Sequence, residues 1–171
     1  MSVKSLALTA GLLAALITPA WAETTKSITI EDAYARVSSP NAKVGAIFFE
    51  IENTRDVADR LIDAKSEVAA RVELHTHKEA EGGVMQMLHV PEGFVIPAEG
   101  HHHLKRGGDH VMLMGLHQGL KDGDLVPLTL VFENAGEITL DVAVDLNRAP
   151  EAGAHGSHSH SADDHKGHKH D

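Results

Sequence analysis

The chain has 171 residues and a mass of 18.3 kDa, room for one domain of ordinary size with appendages. Its 15 Lys and Arg stand against 25 Asp and Glu, a formal charge of −10, which argues against nucleic acid and anionic membrane surfaces as partners because both would repel it. The absence of Cys removes disulfides, thiolate metal sites, iron–sulfur clusters and thiol nucleophiles, while 14 His and 5 Met raise the question of metals.

Residues 1–22 read as a signal peptide. Lys4 gives a positive start, Leu6 to Ile17 is apolar apart from Thr9 and Gly11, and Pro19-Ala20-Trp21-Ala22 ends in the small-x-small pattern of signal peptidase sites. The apolar run is shorter than the roughly 20 residues of a spanning helix. Cleavage after Ala22, a periplasmic location and no membrane anchor thereafter are expected. Residues 23–147 are expected to form the folded domain. Residues 148–171 contain no Val, Ile, Leu or aromatic residue, so they are expected to be a disordered tail. That tail carries His155, His158, His160, His165, His168 and His170.

Between these ends the pattern is one of short strands. Val44 to Asn53 is apolar and holds two Phe, which predicts a central strand. Arg71 to His77 and Val84 to Val90 flank Glu81-Gly82-Gly83, a hairpin signal. Gly107-Gly108 and Lys121-Asp122-Gly123-Asp124 mark further turns. Leu128, Leu130 and Phe132 alternate with their neighbours, as do Ile138, Leu140, Val142, Val144 and Leu146, and Asn134-Ala135-Gly136 turns the chain between the two runs. No internal repeat is visible, and the whole predicts an all-β domain, a β-sandwich or small Greek-key barrel.

Chemistry enters with the methionines. After the initiator, the four Met are residues 85, 87, 112 and 114, a clustering that scattered core filler does not produce. Strand alternation places Met85, Met87 and His89 on one face, and likewise His110, Met112 and Met114, while His75 and His77 lie opposite Val72 and Leu74. Thioether is a soft, uncharged ligand suited to Cu(I), whereas zinc prefers thiolate, imidazole and carboxylate. In an oxidising compartment Met and His survive where Cys would pair.

Val72-Glu73-Leu74-His75, Gly83-Val84-Met85-Gln86-Met87 and the run from Gly107 to Leu116 resemble the PCu(A)C periplasmic copper chaperones. Ile96-Pro97-Ala98-Glu99-Gly100, Leu120 to Asp124, and Glu50 to Asn53 followed by Asp59-Arg60-Leu61 extend the likeness over residues 28–146. The resemblance implies a cupredoxin-like fold, one Cu(I) held by two His and two Met, and delivery to the CuA centre of cytochrome c oxidase. Carried over residue by residue, the ligands are His75, Met87, His110 and Met112. Expected partners are cytochrome c oxidase subunit II or a Sco-type copper protein, and a monomer is expected. The family spacing is H-x10-M-x21-H-x-M, and each of the two longer intervals carries one extra residue here. Extras in loops leave the ligand faces unchanged, but Met85 and His77 stay open as substitutes.

His101-His102-His103 is expected to be a polar strand or turn, with a secondary metal site as the other reading. His89 and His117 are expected at the surface. The tail imidazoles suit Cu(II), Ni(II) or Zn(II), so the tail is expected to collect Cu(II). No acid–base constellation, H-E-x-x-H motif or phosphate loop is present, and a blue-copper carrier needs a Cys ligand. An enzyme is therefore not expected. A copper chaperone accounts for both Met cluster and tail; a general periplasmic metal buffer or resistance protein accounts only for the tail.

Overall fold

A computed structural model describes residues 27–149; the expected signal peptide and all but the first two residues of the expected tail lie outside them. The described residues form strands and no helix: β1 (Ile28–Val37), β2 (Val44–Asn53), β3 (Asp59–Lys65), β4 (Ala69–Glu79), β5 (Met85–His89), β6 (Phe94–Ile96), β7 (Gly100–Leu104), β8 (His110–Leu116), β9 (Leu125–Phe132) and β10 (Gly136–Val144). Hence none of them forms a helix long and apolar enough to cross a membrane. The apolar run read as a central strand is β2 to the residue. The predicted turn at Asn134-Ala135-Gly136 joins β9 to β10, with Gly136 at φ 80°, where a side chain would be strained.

Hydrogen bonding runs in the order β5-β4-β8-β2-β1-β10-β9-β3-β6, with β7 also on β2. The path does not close into a barrel. Instead β3 lies against β4 and β6 against β7, so the sheet curls over and its inner faces enclose one core. Ile47, Ile51, Leu61, Val111, Val126 and Leu128 are among its fully buried side chains. One edge of β2 is shared: β8 pairs with Val44–Ile47 and β7 with Phe49–Asn53. Alternation along β2 turns Ile47, Phe49, Ile51 and Asn53 into the core, and Ala46, Phe48, Glu50 and Glu52 outward.

A bulge in β1 decides what its second half presents. The register passes from Glu31↔Glu50 to Tyr34↔Phe48, so β1 carries one residue more than β2 there, and Asp32 sits at φ 53°. Asp tolerates this left-handed geometry better than most residues. Without the extra residue Tyr34 would face inward with Ile28 and Ile30; with it, Tyr34 stands on the outer face beside Phe48.

At one end of β2 two buried polar side chains tie the loops together. Asn53 donates from Nδ2 to the carbonyls of Val57 (2.9 Å) and Pro97 (2.8 Å). The Asp59 carboxylate accepts from the backbone N–H groups of Arg60, Asn134 and Ala135 at 2.7–2.9 Å and from Arg55 Nη1 at 2.9 Å. Each therefore pairs its own buried polar atoms with backbone groups of separate loops.

Candidate metal centre

β4 lies between β8 and β5 in unbroken register on both sides. His75 is opposite His110 on one side and His89 on the other, His77 is opposite Met87, and Glu73 is opposite Met112. Directly opposed residues share a face, so the proposed ligands of three strands meet on one outer surface, as the alternation predicted. A row of rings crosses five strands there. Tyr34–Phe48, Phe48–His110, His110–His75 and His75–His89 are spaced 5.2, 6.1, 5.9 and 5.7 Å between centroids.

The tautomers of the two central imidazoles follow from their partners. Gly108 O lies 3.0 Å from His110 Nδ1, and a carbonyl can only accept, so Nδ1 carries the proton and Nε2 holds a lone pair. Glu73 Oε2 lies 2.9 Å from His75 Nε2, which by the same logic leaves the lone pair on His75 Nδ1. The hydrogen bond from His75, ahead of the nearby Arg71 charge, holds the Glu73 carboxyl below its ordinary range, so it stays an acceptor. Both free nitrogens, His75 Nδ1 and His110 Nε2, are buried without a hydrogen-bond partner. Burial, the dominant cause, and the neighbouring His77 and His75 push the His110 pKa down against the opposing Gly108 bond. His110 is thus an inward-held neutral imidazole, the form that binds metals. Carboxylate and carbonyl partners on the far ring nitrogen are how proteins orient metal-binding His.

The thioethers separate into two kinds. Met87 and Met112 line, with His77, His110 and Phe48, an open cavity of about 320 Å³, to which Arg36 and Arg106 also contribute. Met114 instead has Arg71 Nη2 3.6 Å from its sulfur, a guanidinium that would repel a bound cation. Met85 is opposite Glu79, four residues along β4 from His75, or about 13 Å. As they stand, no three His, Cys, Asp or Glu side chains among the described residues converge on one ion position. A centre here must draw on methionine, and the donors available are imidazole and thioether.

The structure also brings in His77. Its ring stacks on His110 at 5.0 Å, closer than that of His75, while its Nδ1 is 3.3 Å from the same Gly108 carbonyl. The expected surface positions of His89 and His117 hold. His101–His103 lies within β7, where His102 turns inward, stacked on Phe94 at 5.1 Å with Nε2 3.0 Å from Asp109 Oδ2. Glu73 and Gly108, which orient the imidazoles, were missed in the sequence. Glu73 had a signal, since it shares the face of His75 two residues on; Gly108 had none beyond its turn.

The model of the LpqE-like family, whose description reads "Putative lipoprotein LpqE-like", matches residues 28–144. The chain belongs to this family. A curated relative, "Putative lipoprotein Lxx21020" of Leifsonia xyli subsp. xyli (strain CTCB07), is 33% identical over 112 residues, 66% of this chain and 66% of that protein, just under two thirds of its length. Among solved structures, the copper-bound PCuAC domain from PmoF2 superposes with a TM-score of 0.58 at 28% identity, over 70% of this chain and 93% of that one. Apo-DR1885 from Deinococcus radiodurans gives 0.55 at 28% identity, over 86% and 97%. The Cu(I) form of DR1885 gives 0.54 at 29%, over 72% and 80%. The LpqE-like fold is thus the cupredoxin-like PCuAC fold, and relatives of this chain bind copper.

Proposed function

We propose that this protein is a periplasmic copper chaperone that carries one Cu(I) on His75, Met87, His110 and Met112. The observation that carries the reading is the pair of buried, partnerless imidazole nitrogens on the strand face that also presents two thioethers to an open cavity. Such a set is neutral and soft, suited to a monovalent copper ion and weak toward zinc. The copper-bound PCuAC relatives support it.

The geometry suits cargo that must leave again. His110 is 1% exposed and anchors the ion from within, while Met87 stands on the edge strand β5 at 45% exposure. An incoming donor replaces Met87 first, then Met112, and the imidazoles last, so the ion is never without ligands. Arg36 and Arg106 beside the cavity favour an acceptor with an acidic surface, against the overall negative charge of the chain. The acceptor in this reading is the CuA centre of cytochrome c oxidase subunit II, directly or through a Sco-type protein. The His-rich tail, after cleavage of the leader at Ala22, collects Cu(II).

The test is a competition titration with a Cu(I) chelator. Replacing Met87 and Met112 together by Leu is expected to lower Cu(I) affinity by at least a hundredfold while leaving the folded spectrum intact; wild-type affinity in that variant overturns the ligand set. A chain ending at Ala149 is expected to keep the Cu(I) site and lose Cu(II) equivalents. Loss of the Cu(I) site on truncation would mean that the tail supplies core ligands.

A further inference from the structure

The outer face of β2 continues past the copper cavity. Two residues beyond Phe48, whose ring packs on His110, Glu50 projects on the same side, followed by Glu52. β7 is paired so that His103 stands opposite Glu50 and His101 opposite Glu52. The Glu50 carboxylate sits between the two rings: Oε1 is 2.7 Å from His101 Nδ1 and Oε2 is 3.4 Å from His103 Nδ1. The rings are parallel to within 10° with centroids 6.3 Å apart, and both side chains are about half exposed. Glu31 of β1, opposite Glu50, adds a further negative charge to this face.

We propose that His101, His103 and Glu50 form a second metal site, for a divalent borderline cation, Cu(II) foremost. Histidines at i and i+2 of one strand lie on one face about 7 Å apart, a spacing that two exposed rings close by rotating toward a shared ion. The donor set, two imidazoles and a carboxylate without thioether, is borderline to hard and suits Cu(II), Zn(II) or Ni(II) rather than Cu(I). These rings do not converge before the ion arrives, so binding pays their ordering entropy and is weaker than that of a rigid cage. Packing does not account for the two imidazoles, which bury little; it is His102 that turns inward.

The position links this site to the start of the His-rich segment. Arg148 pairs with Asp32 and lies over the Tyr34 ring at 4.1 Å, and its carbonyl accepts from Arg36 (2.8 Å) and Arg106 (3.1 Å), both of which line the copper cavity. Asp32, Tyr34, Glu50 and His103 share a small cleft. The root of the His-rich segment is therefore fixed between the two metal-binding surfaces, and a divalent ion gathered there has a station on the way.

The experiment is a Zn(II) titration of the full mature chain followed by amide NMR, zinc being redox-inert and indifferent to thioether. Signals of residues 50–52 and 101–103 are expected to shift up to saturation. His101→Ala with His103→Ala should abolish those shifts and leave the tail responses, and Glu50→Gln should weaken them about tenfold. All three side chains are solvent-accessible, so the variants keep the fold, which unshifted core amides verify. Signals at 50–52 and 101–103 that stay fixed at saturating zinc, or that still move in the double variant, overturn the site.

Discussion

His75 and His77 lie on the same face of β4, and the row geometry gives them different work. His75 has its far nitrogen fixed by Glu73 and a buried lone pair with no partner, whereas His77 stacks on His110 and shares the Gly108 carbonyl. His75→Ala is accordingly expected to cost at least tenfold more Cu(I) affinity than His77→Ala, and Met85→Leu to cost almost nothing, in the same chelator competition. A larger loss at His77 would transfer the ligand role to it. His110 also makes a stability prediction. Its folded pKa is depressed by burial, so below the free imidazole value of about 6.5 the unfolded chain binds a proton that the native state refuses. The contribution is fully present above that value and is lost as pH falls toward the depressed one. The denaturation midpoint of the copper-free protein should drop between pH 7 and 5, and His110→Gln should flatten that drop.

Strands carry the next lesson, because pairing partners distant in sequence decide what alternation alone leaves open. Asp59 at the start of β3 gathers backbone donors from the β9–β10 turn 75 and 76 residues away. Asp59→Ala takes the acceptor from those N–H groups and the buried partner from Arg55, and urea denaturation is expected to show a loss of about 2–4 kcal/mol with Cu(I) affinity unchanged. The motif segments around Asn53 and Asp59 were visible in the sequence; their function as a polar tie was not. Local signals were enough for β2, the β4–β5 and β9–β10 hairpins and the shared ligand faces, since period two and turn residues are properties of a few neighbours. The bulge at Asp32, the placement of β7 on the same edge as β8, and the choice between His75 and His77 depend on register between separate strands. No local pattern encodes that register.

At the scale of the whole molecule, the curled sheet leaves one outer surface on which the cavity lined by Met87 and Met112, the Tyr34–Phe48 pair and the His101–His103 face succeed one another. The ring row has an optical consequence. The chain has one Tyr and one Trp, and Trp21 falls within the expected leader, so once that leader is removed the near-ultraviolet emission comes from Tyr34. That phenol is buried, stacked 5.2 Å from Phe48, and borders the cleft it shares with Glu50 and His103. An open-shell, redox-active ion bound beside it quenches its excited state, whereas closed-shell Zn(II) or Cu(I) leaves emission largely intact. Tyrosine fluorescence of the unlabelled protein should therefore fall with Cu(II), hold with Zn(II), and recover as added reductant converts the bound ion to Cu(I). On the proposed sites, the fold carries its own gauge of copper's oxidation state.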